Sequence, residues 1–378
     1  MNHKSLLTAS LFLAAAGHSI PAAAAAPVSS TTYNYYVAPT GDDGNPGTAD
    51  LPFQTILRAS KVALPGTTVH VAPGVYTGGF KTTMSGTEAQ RIYYVSTVQW
   101  GAKLVPPMSS DTKAGWDNRG SYVDIVGFEI DGSAARNGMK WSHGIYNGGS
   151  FAVIRNNLVH HIALENSCNG AGAAGIGVDS YYRGIKSDVI GNTVHHIGQP
   201  GCRFVEGIYI STSGSAHHNV VHNIGGAAIQ MWHDANNVVV SNNTVAASMT
   251  GILVGGGDFY HTKGPNDYTS VHNNIVYDNK FGISEQGETG PHNSYRNNLV
   301  FQSSAADWQL RNGLTHTGTI TQAPQFVRYA RKGDLDLRLR SNSPAIGKGI
   351  DDQTSLNDAA GKARPRGAGV DIGAFQFK

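Results

Sequence analysis

Six times between Asn156 and Val300 the chain writes asparagine, then an aliphatic residue or threonine, then valine: Asn157-Leu158-Val159, Asn192-Thr193-Val194, Asn219-Val220-Val221, Asn243-Thr244-Val245, Asn274-Ile275-Val276 and Asn298-Leu299-Val300. The steps are 35, 27, 24, 31 and 24 residues. A period in this range is that of a solenoid, in which each turn buries its apolar face only against its neighbours. A second motif keeps time with the first: Gly144-Ile145, Gly175-Ile176, Gly207-Ile208, Ala228-Ile229, Gly251-Ile252 and Gly282-Ile283. Each turn therefore holds at least two short strands separated by polar corners, and the expected fold is all-β, a parallel β-helix wound as a single-stranded solenoid with an N-terminal capping helix.

Composition agrees with many tight corners. Glycine, at 47 residues, is the outlier, and corners that need positive φ consume glycine and asparagine. Charged residues are 14% and the net charge is +2, which argues against a nucleic-acid partner or a polybasic membrane patch. Residues 1–26 read as a signal peptide, with His3 and Lys4 ahead of an apolar stretch from Leu6 to Ala16 and an alanine run from Ala22 to Ala26. No later segment has the ~18 apolar residues of a membrane span. The expectation is a secreted or periplasmic monomer with one β-helix domain, 27–378. Within it, 33–90 form the N-terminal cap, 91–322 the turns and 323–378 the closing segment. Cys168 and Cys202 fall on neighbouring corners and, in an exported chain, are expected to pair.

The cap has its own pattern. Tyr35-Tyr36-Val37 reads as a strand, Gly41 to Gly47 as a loop, Phe53 to Ala63 as a short amphipathic helix, and Thr68 to Val71 as a strand. Tyr36-Val37-Ala38, Gly41-Asp42-Asp43-Gly44-Asn45-Pro46-Gly47, Pro52-Phe53-Gln54-Thr55-Ile56, Pro65-Gly66-Thr67-Thr68-Val69 and Gly74-Val75-Tyr76 together resemble the N-terminal cap of secreted right-handed parallel β-helix proteins, including family 9 polysaccharide lyases. Ser343-Pro344-Ala345-Ile346 and Asp371-Ile372-Gly373-Ala374-Phe375 resemble their closing segment. The resemblance implies a pectate-lyase-like protein, with calcium held by clustered aspartates and a lysine base. The central turns show no such aspartate run.

Aligned on the motif valine, the next residue reads His160, His195, His222, Ala246, Tyr277, Phe301. Residues in register stand ~4.8 Å apart, so these histidines are expected to stack as part of the scaffold. Aligned on the isoleucine, the outward positions read Tyr146, Gly177, Tyr209, Gln230, Leu253, Ser284, and two residues on Gly148, Asp179, Ser211, Trp232, Gly255, Gln286. Small residues, an aromatic and hydrogen-bonding groups on one face suit a polysaccharide lying along the solenoid.

The densest run is Gln230-Met231-Trp232-His233-Asp234. His233 or Tyr209 is the candidate base, with Asp234 or Glu206 assisting proton return. Trp232 and Gln230 are candidate sugar contacts, and Arg183, Lys186 and Lys263 the cations that would neutralise a uronate carboxylate. Asp179, Asp234 and Asp258 are candidate ligands for calcium, the one cofactor expected. A simpler reading has Trp232 covering a corner and His233 bonding a backbone carbonyl. The expected activity is β-elimination of a uronate-containing polysaccharide. A β-helix glycoside hydrolase and a non-catalytic carbohydrate-binding or surface protein are the alternatives. The Asp-Asp pairs, Asp42-Asp43 and Asp351-Asp352, lie in the terminal modules, which disfavours hydrolysis.

Overall fold

Why the two motifs recur together is visible in how they interlock. A Cβ added to Gly175 or Gly207 would stand 2.6 Å from Cγ1 of Val194 or Val221, the motif valine of the same turn. The glycine of Gly-Ile is therefore a packing requirement: it lets the strand that follows press onto the valine of the next sheet. Beside it the asparagines form a ladder. Nδ2 of Asn157, Asn192, Asn219, Asn243 and Asn274 each donates to Oδ1 of the next one, at 2.9–3.1 Å, and all six asparagines are wholly buried. Their remaining donor and acceptor capacity goes to backbone groups at the corner, so a row of buried amides carries little desolvation penalty.

The computed structural model describes residues 32–110, 112–134, 140–165, 168, 172–351, 357–367 and 369–377; the expected signal peptide, and Asp352 of the second Asp-Asp pair, lie outside them. Among these residues the strands form three parallel sheets of eleven, nine and nine strands. Each turn thus contributes three strands, one more than the motifs reveal, because the strand before each asparagine (Val153–Arg155, Ser187–Ile190, Gly214–His217, Val238–Ser241) carries no fixed signature. The asparagine sheet runs from Gly74–Thr77 to Leu299–Phe301, and the sheet bearing the Gly-Ile motif from Phe80–Thr82 to Ala306–Gln309. The all-β parallel β-helix expected from the repeat is the fold observed.

Stacking begins within the cap. Tyr33–Val37 pairs with Thr67–Val71, which pairs with Ile92–Ser96. The helix, Ile56–Val62, is capped by Thr55, whose Oγ1 accepts from Arg58 N at 3.0 Å. It buries Ile56 and Ala59, with Phe53 beside them, in the main core. At the other end Phe326–Arg328 and Asp336–Leu339 form an antiparallel pair. Phe326, Leu337, Leu339, Ala345, Ile372 and Ala374 pack with Leu299, Ile275, Tyr277 and Phe301 of the asparagine sheet. This is why the outward column of histidines turns aromatic at Tyr277 and Phe301: there it is covered by the closing segment.

Candidate active site

One cleft of about 640 Å³ lies along the outer face of the Gly-Ile sheet and its flanking loops. Three outward columns furnish it. The first, immediately before the Gly-Ile glycine, places His143, Ala174, Glu206, Ala227, Thr250 and Phe281 in register. The second runs Tyr146, Gly177, Tyr209, Gln230, Leu253. The third supplies Asp179, Trp232 and Gln286 to the wall. Alternating small and large residues make the trough, since Ala174 and Gly177 leave open the space beside Glu206 and Tyr209.

Trp232 lies over glycines. A Cβ on Gly255 would come within 2.6 Å of its ring, and one on Gly287 within 2.7 Å. The indole therefore covers the next turns with one face and lines the cleft as well. His233 follows in the left-handed region, φ 48°, which turns its ring toward the 258–265 loop. There Nδ1 sits 2.8 Å from the carbonyl oxygen of Asp258, and Nε2 2.7 Å from the hydroxyl of Tyr260. A carbonyl can only accept, so Nδ1 carries the proton and Nε2 accepts from Tyr260. The two rings stack at 3.9 Å.

Burial pushes the Glu206 carboxyl well above its usual range, which favours its protonated form. Tyr209 is pushed well up by burial and by the charges of Glu206 and Asp179. Tyr260 is pushed up to about 12 by burial, with Asp179, Asp234 and Asp258 adding to it. His143 is lowered to about 4, chiefly by burial. Asp179 accepts from Tyr146 Oη at 2.9 Å, Ser211 Oγ at 2.7 Å and Tyr181 N at 3.0 Å.

Asp234 does a different job from the one its sequence position suggests. Burial alone would raise its carboxyl, but hydrogen bonds from His261 N, Thr262 N and Oγ1 and Ser180 Oγ hold it below the usual carboxylate range. With Tyr260 N also donating to it, the side chain is saturated and anchors the loop that presents Tyr260. A calcium cage from Asp179, Asp234 and Asp258 does not fit this arrangement. Asp234 has spent its lone pairs on N–H and O–H donors, and among the described residues the three do not bring ligand atoms within 4.8 Å of one another. Arg183, Lys186 and Lys263 are exposed and lie outside the cleft lining; the cation that lines it is Arg203. Arg203 and Phe204 follow Cys202, which forms a disulfide with Cys168 (Cα–Cα 4.8 Å) and fixes that wall.

Sequence reasoning missed His143, Tyr260 and Arg203. The column before the glycine would have shown His143 two turns ahead of Glu206, across Ala174. Tyr260 and Arg203 sit in loops without a repeat, where register says nothing.

A right-handed parallel β-helix with a cleft on one sheet is the class that these features define. Residues 35–199 match the family described as "Pel9A-like, right handed beta helix region", and the fold of the chain is similar to that of pectate-lyase-like parallel β-helices. The crystal structure of pectate lyase Pel9A superposes with a TM-score of 0.57 at 16% identity, covering 92% of this chain and 97% of that one. A structure named "Glycoside hydrolase" gives 0.55 at 8% identity over 77% of this chain and 97% of its own. XylC in complex with xylose gives 0.53 at 13% identity, over 76% and 70%. In sequence, 59 residues are 41% identical to the uncharacterized protein YwoF of Bacillus subtilis (strain 168), 16% of this chain and 13% of that relative's length. No described helix is long and apolar enough to cross a membrane.

Proposed function

We propose that the protein is an exported polysaccharide lyase that cleaves a uronate-containing polymer by β-elimination in this cleft, with His233 and Tyr260 as the proton-abstracting pair. The observation that carries this is the fixed tautomer of His233: Nδ1–H is tied to the Asp258 carbonyl, and Nε2 stands ready to take the proton of Tyr260 as that phenol takes one from the sugar. The C5–H bond breaks toward Tyr260 oxygen, the C4=C5 double bond forms, and the C4–O4 bond breaks. Tyr209, held protonated, gives O4 its proton. Glu206, its carboxyl favoured in the protonated form by burial, takes the uronate carboxylate together with the Gln230 amide and Arg203, making C5 acidic. The fold shared with pectate lyase Pel9A and the trough of small residues support this reading.

Hydrolysis is the second reading, because Glu206 with a raised pKa and Asp179 both line the cleft, and two carboxyls in different environments are what glycoside hydrolysis needs. The test is to incubate the protein with a panel of uronate polymers, with and without chelator, and follow ultraviolet absorbance and reducing ends together. Absorbance that rises in both conditions supports elimination without calcium. Reducing ends without absorbance mean hydrolysis, and neither signal means a binding protein.

A further inference from the structure

The column of histidines begins one turn earlier than the Asn-x-Val motif. In the asparagine sheet Asp131 is in register with His160, which is in register with His195 and then His222. His160 and His195 stack at 5.1 Å, and His195 and His222 at 5.0 Å, as a scaffold row should. Each histidine is followed by a residue in the left-handed region (His161 φ 56°, His196 φ 54°, Asn223 φ 57°), which folds the second side chain back onto the first. His160 Nδ1 thus lies 2.7 Å from His161 Nδ1, and 3.5 Å from Asp131 Oδ1.

At the start of the column the surroundings differ. Glu129 Oε1 is 3.1 Å from His160 Nε2, and Lys103 Nζ holds Glu129 at 2.7 Å. The Glu129 carboxylate accepts from Nε2–H, which leaves the Nδ1 lone pair facing Asp131 and His161. Asp131 Oδ1 accepts from Ser133 N at 2.8 Å and Ser133 Oγ at 2.5 Å, and Oδ2 lies 3.4 Å from Lys103 Nζ, so a metal ion would have to displace part of this set. Among the described residues this is the group whose three ligand atoms fall within 4.8 Å of one another.

We infer that Asp131, His160 and His161 form a binding site for a divalent transition metal ion of the zinc class, on a different sheet from the cleft. Two imidazoles and a carboxylate with one open position are a zinc-type donor set, and a carboxylate on the far nitrogen of a ligating histidine is the usual orienting partner. At ~2.05 Å from a tetrahedral ion the two Nδ1 atoms stand ~3.3 Å apart, so the rings need part by only roughly 0.6 Å. His161 is half-buried at the corner.

The experiment uses the full chain, stripped with a chelator and titrated with Zn²⁺ against a chromophoric competitor. The wild type takes up one ion per chain, and thermal unfolding shifts upward with Zn²⁺. His161→Asn and Asp131→Asn lower the affinity at least tenfold, whereas His195→Asn leaves it unchanged. His161→Asn reproduces Asn223 two turns on, so the corner keeps its left-handed residue; should it fail to fold, Asp131→Asn decides. No uptake by the wild type, or equal uptake by His161→Asn and Asp131→Asn, overturns the site.

Discussion

His233 is held at both ring nitrogens, by a backbone carbonyl and by a phenol, and stacks on the ring of that phenol. Removing it costs the site its proton acceptor but little of the fold, because it sits at a corner and not in the stack. His233→Ala is therefore expected to lower kcat by about 10²–10⁴-fold with unfolding temperature nearly unchanged. Tyr260→Phe removes only the hydroxyl and should fall in the same range, read as the rate of unsaturated product. If both variants keep full activity, the proton is taken elsewhere. Gly255→Ala probes the other side of the cleft: its methyl must displace the Trp232 ring, so it should cost about 1–3 kcal/mol of stability and raise KM.

The asparagine ladder makes the stacked turn the natural element of this molecule. Asn243 donates to Ala216 O and Asn274 Oδ1, and its own Oδ1 accepts from Asn219 N and Nδ2. Asn243→Ala strands several of these groups without water. At about 1–3 kcal/mol for each buried unsatisfied group, the loss should reach at least 3 kcal/mol in urea unfolding. Much of this level could be read from sequence, since asparagine, valine and the Gly-Ile glycine are each required by a neighbour one turn away, and a requirement repeated six times shows as a motif. The third strand of each turn was invisible, because its contacts are met by varied residues. The loops of the site were invisible for the same reason: Tyr260 reaches His233 through a loop tied down by Asp234, and a carboxylate that anchors a loop looks in sequence like one that does chemistry.

For the whole molecule, two cleft groups pull the pH dependence of stability in opposite directions. Glu206 is raised above the usual 4.5, so the folded state binds its proton more tightly; its contribution is complete below that value and is lost as pH rises through the folded pKa. His143 is lowered from 6.5 to about 4, so its contribution is present above 6.5 and is lost as pH falls through about 4. Urea unfolding across this range should therefore show a maximum, with Glu206→Gln flattening the alkaline side and His143→Asn the acid side. Unchanged profiles would mean that neither group is held as described. The Cys168–Cys202 bridge closes a 34-residue separation and should contribute about 3–4 kcal/mol.

The asparagine ladder also has a direction. Every rung donates toward the C-terminal neighbour and accepts from the N-terminal one, starting from Phe128 N on Asn157 Oδ1. A turn that has just formed therefore exposes a side-chain donor with no acceptor, and the next asparagine to arrive supplies one. In kinetic terms a stack that grows from its N-terminal end makes each finished turn a template with an unmet demand, so such growth relieves one buried debt at a time and should stall at a break in the row.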